Sequence, residues 1–260
     1  MELFQGLLLG ALQGLTEFLP VSSTGHLIVV RELLGLTENL GLALDAMLHL
    51  ATALAVIIYF RSDLVAIARG TLQKDPTARM MLLALILGTI PAAVLGFFLE
   101  EWMDTAFRSS LLVAGALILG SLIFLIAERL GRQDRVLTVR KGFLVGLFQA
   151  LALIPGMSRS GMTIAGGLLM GLSRVEAARF GFLLSFPIIL GAGLKKLFEL
   201  LSTGALETSA SLIAAGGITA FLFGLAAIHF MIRFVKTHSL MPFVWYRLAL
   251  ASVVIIVTIL

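Results

Sequence analysis

Gln13 and Glu17 stand four residues apart in an otherwise apolar run, so a helix through them presents both side chains on one face. A carboxylate beside an amide oxygen offers hard donors of the kind Mg²⁺ or Ca²⁺ takes, above all when phosphate oxygens complete the shell. The run then breaks into Pro20, Val21, Ser22, Ser23, Thr24, Gly25 and His26, which puts three hydroxyls, a permissive glycine and a titratable imidazole in one turn. A second break reads Pro155, Gly156, Met157, Ser158, Arg159, Ser160, Gly161, Met162 and Thr163. Hydroxyls and glycine-flanked amides suit an anion with several oxygens, since successive amides in such a turn form a nest. Arg159 adds the fork that phosphate accepts in two places. Together these residues describe phosphate chemistry. Glu17 and Gln13 hold a cation. Arg159, Ser158, Ser160, Gly161 and Thr163 bind phosphate oxygens, joined by Ser22, Thr24 and Gly25 of the first break. Ser23 or His26 attacks or moves a proton.

Each of these residues also has a plainer reading. An intramembrane acid pairs with a base for packing, a serine-rich turn caps a helix, and a lone histidine is often a hydrogen-bonded core residue. Two features weigh against the plain readings: ionisable groups inside apolar segments are functional by default, and an arginine sits at the same break as the hydroxyls. Asp45 and His49, again four apart, are placed to support the site. Gln149 repeats Gln13 without an accompanying acid.

The elements that must carry these residues follow from an internal repeat. GLLLGALQGLTEFLPVSSTGH from Gly6 and GFLVGLFQALALIPGMSRSGM from Gly142 superpose at an offset of 136, which pairs Gly10 with Gly146, Gln13 with Gln149, Ser22 with Ser158, Gly25 with Gly161 and Gly35 with Gly171. Each copy is an apolar run cut by Pro, Ser and Gly. Freed backbone groups cost several kcal/mol each in hydrocarbon, so such a break survives only where it is buried in protein or lines a wet cavity.

With 59% hydrophobic and 13% charged residues and a mean hydropathy of +1.06, the chain has too little polar material to cover a water-soluble globule. After each hairpin come three apolar stretches of spanning length, at about 45–60, 80–99 and 109–127, then about 181–201, 211–232 and 243–260. Fourteen of the nineteen Lys and Arg fall in four segments, 61–79, 129–141, 174–179 and 233–247. Putting these inside obeys the positive-inside rule. It leaves the acidic segment with Glu100, Glu101 and Asp104 outside, together with the segment 202–209, which has no basic residue.

The expected fold is therefore an all-α polytopic membrane protein built as an inverted repeat, 1–135 and 136–260, each half a re-entrant helical hairpin plus three transmembrane helices. The first hairpin opens outward, the second inward, and both termini lie outside. Lys195 and Lys196 fall within a span, near its outer end, where they can snorkel. Arg174 and Arg179 serve topology. The first residues, with an acid at Glu2 and no basic stretch, read as mature sequence rather than a cleaved leader. The absence of Cys excludes disulfides and thiolate metal sites. The basic balance points to anionic lipid headgroups rather than nucleic acid, because the basic residues lie in short segments between apolar spans.

QGLTEFLPVSSTGH and PGMSRSGMT closely resemble the two signature motifs of the bacterial undecaprenyl-diphosphate phosphatase family, the bacitracin-resistance proteins. The similarity extends to AER at 127–129 and MPFVWYR at 241–247. The resemblance implies hydrolysis of undecaprenyl diphosphate to the monophosphate and inorganic phosphate with a divalent cation, which recycles the lipid carrier of cell-wall polymers. It implies a site facing the exterior of the plasma membrane. The family's first motif carries Glu or Gln and then Glu four later, here Gln13 and Glu17, so a single carboxylate is present. From the second motif Ser158, Arg159, Ser160 and Thr163 carry over as phosphate ligands. Three attacking groups stay open: Ser23 with His26 as proton donor or acceptor, His26 itself, or water. A transporter or flippase is the rival reading, because inverted repeats with broken helices meeting in the membrane are a transporter signature.

Overall fold

The computed structural model describes residues 2–23, 25–27, 30, 41–99, 102, 109–132, 135–203 and 210–259. Among them there are helices and no strand. The helices are α1 (Glu2–Phe18), α2 (Gly41–Tyr59), α3 (Arg61–Leu72), α4 (Pro76–Phe98), α5 (Ser110–Leu130), α6 (Val139–Leu151), α7 (Arg159–Leu169), α8 (Arg174–Thr203), α9 (Ala210–Thr237) and α10 (Met241–Ile259). Five of them, α4, α5, α8, α9 and α10, are long and apolar enough to cross a membrane, and α2 with α3 makes a sixth if the bent pair is one span. The chain is an all-α polytopic membrane protein.

Local chemistry sets where the helices start. Asp75 caps α4 by accepting from the amides of Thr77 and Ala78, with Pro76 at the first helical position. Ser109, Thr138 and Ser158 cap α5, α6 and α7 through their hydroxyls. The apolar stretches expected at 45–60, 80–99 and 109–127 are α2, α4 and α5, and those at 181–201, 211–232 and 243–260 are α8, α9 and α10. Exposed Leu83, Ile86, Ile90, Phe97 and Phe98 on α4 form a lipid-facing side.

Two expectations are corrected. Residues 61–79 are expected only as a basic segment between two spans, whereas Arg61–Leu72 is helix α3, bent 68° from α2. Asp63 on α3 accepts from Arg179 on α8, which anchors the bend. Arg247 was counted among loop charges, yet it is a wholly buried residue of α10, which leaves thirteen basic residues in the four segments. The acidic segment with Glu100, Glu101 and Asp104 lies outside the described residues, as do Gly35 and 204–209.

The broken elements pack crosswise. α1 lies along α9 and α6 lies along α4, while α2 pairs with α8 and α5 with α10. Close approach needs glycine at both broken helices. A Cβ on Gly10 would overlap the Gly216 carbonyl, and one on Gly146 the Gly88 carbonyl, so backbone touches backbone. The largest apolar cluster runs through Phe18, Phe124, Ile164, Phe182 and Met231 and joins α1, α5, α7, α8 and α9.

Candidate active site at the meeting of two broken helices

α1 ends at Phe18 and α6 at Leu151, and each is followed by a break that turns on a serine in a left-handed backbone conformation, Ser22 at φ 72° and Ser158 at φ 70°. A non-glycine residue held there costs about 1–3 kcal/mol, and such strain persists where the surroundings enforce it. In both breaks the serine hydroxyl accepts from the amide three residues on. Gly25 N donates to Ser22 Oγ at 3.4 Å and Gly161 N to Ser158 Oγ at 3.2 Å. The capping reading of Ser22 and Ser158 is thus what their geometry shows, and the 136-residue repeat reaches down to single hydrogen bonds.

The two breaks touch. Arg159 Nη1 donates to Glu17 Oε1 at 3.1 Å, with the Glu17 side chain 5% and the Arg159 side chain 22% exposed. Ser160 Oγ donates to the Leu19 carbonyl at 2.9 Å. The other carboxylate oxygen of Glu17 accepts from Gln13 Nε2 at 2.9 Å and from Ser23 Oγ at 3.2 Å. Three donors from two different elements therefore converge on one carboxylate. Gln13, placed by its i to i+4 spacing, leaves its Oε1 buried and unpartnered beside this cluster.

The remaining expected residues divide. Thr163 is fully buried and donates back to the carbonyls of Arg159 and Ser160, so its proton is held by its own helix. Ser158 and Ser160 lie 3.3 Å apart, hydroxyl to hydroxyl. Gly25 and Gly161 are buried in their turns. Thr24 lies outside the described residues. His26 has both ring nitrogens engaged, Nδ1 with the Ser22 carbonyl at 2.8 Å and Nε2 with Tyr246 Oη at 2.6 Å. Its ring lies nearly parallel to that of Tyr246, with the centroids 5.5 Å apart.

Asp45 and His49 are joined through the Asp45 carbonyl, which accepts from His49 Nδ1 at 2.8 Å. Lys196 pairs with Asp45 at 3.8 Å, so it is held by an acid as well as placed near a span end. Arg174 is bound to Glu128, Nε to Oε1 at 2.9 Å, and ties α8 to the end of α5. Gln149, the counterpart of Gln13, is buried with neither side-chain atom partnered.

Sequence reading passed over Tyr246 and Arg247. Arg247 donates to the carbonyls of Met157 at 2.9 Å, Gly156 at 3.3 Å and Leu117 at 3.3 Å, and to Ser121 Oγ at 3.1 Å. The available signal was an arginine seven residues into an apolar run that ends in VVIIVTIL. Ser121 is eleven residues from the start of α5, about 16 Å along its axis, which sets this part of the site near mid-depth.

For a divalent cation the donors fit in kind: a carboxylate, a free amide oxygen and a hydroxyl, all hard oxygens. Among the described residues no group of three or more His, Cys, Asp or Glu exists to form a cage from protein alone. The cluster suits a cation that shares its shell with phosphate oxygens and water.

Residues 6–253 match the family model described as bacitracin resistance protein BacA. Curated relatives bearing the name undecaprenyl-diphosphatase include one from Rubrobacter xylanophilus, 46% identical over 98% of this chain and 97% of its own length. Others come from Pelobacter propionicus, 44% identical over 98% and 97%, and Micrococcus luteus, 44% identical over 97% and 96%.

Proposed function

Since this chain belongs to the family described as bacitracin resistance protein BacA, we infer that it hydrolyses undecaprenyl diphosphate to undecaprenyl monophosphate and inorganic phosphate. The observation that carries the reading is the Glu17 carboxylate, shared between Arg159 of the opposite break and Ser23 of its own. An anion binder and a nucleophile held on one acid, inside an apolar protein, suit a charged headgroup on a lipid tail.

In this reading Arg159 takes the diphosphate oxygens as a two-pronged clamp, helped by the main-chain N–H groups opening α7. Ser158, Ser160, Ser22, Gly25, Gly161 and Thr163 hold the two turns in shape and present them to the phosphate. Ser23 Oγ attacks the terminal phosphorus as its proton passes to Glu17. The bond from that phosphorus to the bridging oxygen breaks, and the monophosphate lipid leaves. Water then cleaves the phosphoserine, which releases inorganic phosphate and restores the hydroxyl. His26, engaged at both nitrogens, orients the first turn through Ser22 and relays a proton only by way of Tyr246. Glu17 and Gln13 Oε1 would hold a divalent cation, Mg²⁺ or Ca²⁺, which would supply charge neutralisation to the phosphate groups.

The equal left-handed serines and the crosswise packing support an inverted repeat of 1–135 and 136–260. The thirteen clustered basic residues support a plasma-membrane protein whose first break opens outward. Membrane lipids surround it and nucleic acid has no part.

Purified protein in detergent, given a short-chain prenyl diphosphate, releases inorganic phosphate, and Ser23→Ala abolishes the release. Detergent solution has no compartments, so a transporter or flippase produces no such signal; its absence from well-folded protein would favour that rival.

A further inference from the structure

Arg247 is the bulkiest fully buried side chain among the described residues, and it lies in the last apolar helix. All four of its hydrogen-bond acceptors are neutral oxygens. A guanidinium deep in a membrane protein with no anion on it is costly, and an apolar side chain of similar volume would pack there more easily. What the arginine grips explains why it stays. The carbonyls of Gly156 and Met157 immediately precede Ser158, whose left-handed backbone turns the chain, and Arg159, whose side chain must reach Glu17. The far acceptors, Ser121 and the Leu117 carbonyl, belong to α5, so the guanidinium ties the strained turn to a rigid helix. Gly120 makes room for it: a Cβ there would fall on Nη2. A Cβ on Gly161 would come within 3.1 Å of Nη1, so the positive charge also lies directly behind the first turn of α7.

We propose that Arg247 is a positioning residue that aims Arg159 and the opening turn of α7 at the phosphate. The proposal rests on the reading of Arg159 as the phosphate clamp. Arg247 is wholly buried and has no exposed surface with which to touch the substrate, so its loss should appear in turnover rather than in substrate capture.

The test compares Arg247→Lys, Gly120→Ala, Gly115→Ala and Arg159→Lys as monodisperse protein in detergent, with phosphate release from a short-chain prenyl diphosphate. An ammonium cannot reach four acceptors spread in a plane, so Arg247→Lys lowers kcat at least 30-fold with KM within threefold of the parent. Gly120→Ala keeps the arginine but occupies its place, and lowers kcat at least fivefold with the same KM. Gly115, with nothing within 4 Å of its added Cβ, is the control on the same helix and leaves both constants unchanged. If Arg247→Lys is not recovered folded, Gly120→Ala decides. A kcat within twofold of the parent in Gly120→Ala, or a loss carried wholly by KM, overturns the positioning role. Normal turnover in Arg159→Lys instead removes the reading of the site on which it rests.

Discussion

Replacing Glu17 by Gln keeps the shape of the side chain and removes its charge, and the structure sets the size of the effect. Three donors, Gln13 Nε2, Ser23 Oγ and Arg159 Nη1, converge on two carboxylate oxygens at 2.9–3.2 Å. An amide has one oxygen and brings an NH₂ of its own, so at least one donor faces another donor. A hydrogen bond to a charged group is worth about 1.5–3 kcal/mol net. Breaking a fully buried ion pair by removing one partner costs about 3–5 kcal/mol. Arg159 keeps 22% of its side chain exposed and can turn to water, so the stability loss settles at about 2–3 kcal/mol. Turnover falls further. Ser23 loses the acceptor of its proton, which for a positioned base is worth about 10²–10⁴-fold. The variant is assayed by phosphate release and by thermal unfolding in detergent with and without Mg²⁺. A cation at ten times its Kd stabilises the parent by about 1.4 kcal/mol, and Glu17→Gln should lose that increment. A variant that keeps the Mg²⁺-dependent rise in melting temperature would refute Glu17 as a cation ligand. A rate within threefold of the parent would refute it as the proton acceptor.

Three further outcomes follow from the same contacts. Tyr246→Phe removes one neutral hydrogen bond to His26, and in a double-mutant cycle with His26→Ala the coupling in kcat/KM should be about 0.5–1.5 kcal/mol; strict additivity would show that the Tyr246 hydroxyl does not act through His26. Gly146→Val drives a side chain into the Gly88 backbone and should cost at least about 3 kcal/mol by thermal unfolding, whereas Gly115→Ala, facing open space, should gain up to about 1 kcal/mol from helix propensity. In intact cells, Cys at Ser23 should react with a membrane-impermeant thiol reagent and be protected by a diphosphate analogue, while Cys at Gln73 should react only after permeabilisation; the reverse pattern would place the site on the cytoplasmic side.

The broken elements and the apolar stretches that form α2, α4, α5, α8, α9 and α10 were legible because their signals are local: a proline and glycines interrupting an apolar run, or about twenty apolar residues between charges. The repeat put Glu17 and Arg159 beside its two breaks, whereas the ion pair between them appears only in the structure. Helix α3 was missed because its basic residues satisfied a topology rule equally well as loop or as helix, and what holds it in place is Asp63 gripping Arg179, 116 residues away, together with Leu64 and Ile67 packed on the core. Arg247 was misread for a related reason. Charge counting treats any arginine near a span end as headgroup-facing, and its true partners lie 90–130 residues earlier in the chain. The hydroxyls of the two breaks are expected as phosphate ligands from their types and spacing. The contacts they make within the protein, a cap at Ser158, a cross-link from Ser160 to Leu19 and a back-bond at Thr163, depend on backbone angles that residue type does not encode.

The crosswise packing also dictates an order of events on the ribosome. α1 finds its resting surface on α9, which begins roughly 190 residues after α1 ends. At roughly 5–20 residues per second of synthesis, the first hairpin spends on the order of ten to forty seconds in or near the bilayer without the helix that covers it. Throughout most of that interval Glu17 also lacks Arg159, which lies 142 residues downstream. A nascent chain cut short before residue 159 therefore carries Glu17 without its arginine, and one cut short before residue 210 still lacks the helix along which α1 lies. A stop codon shortly before residue 210 therefore removes the surface on which α1 rests as completely as an early one.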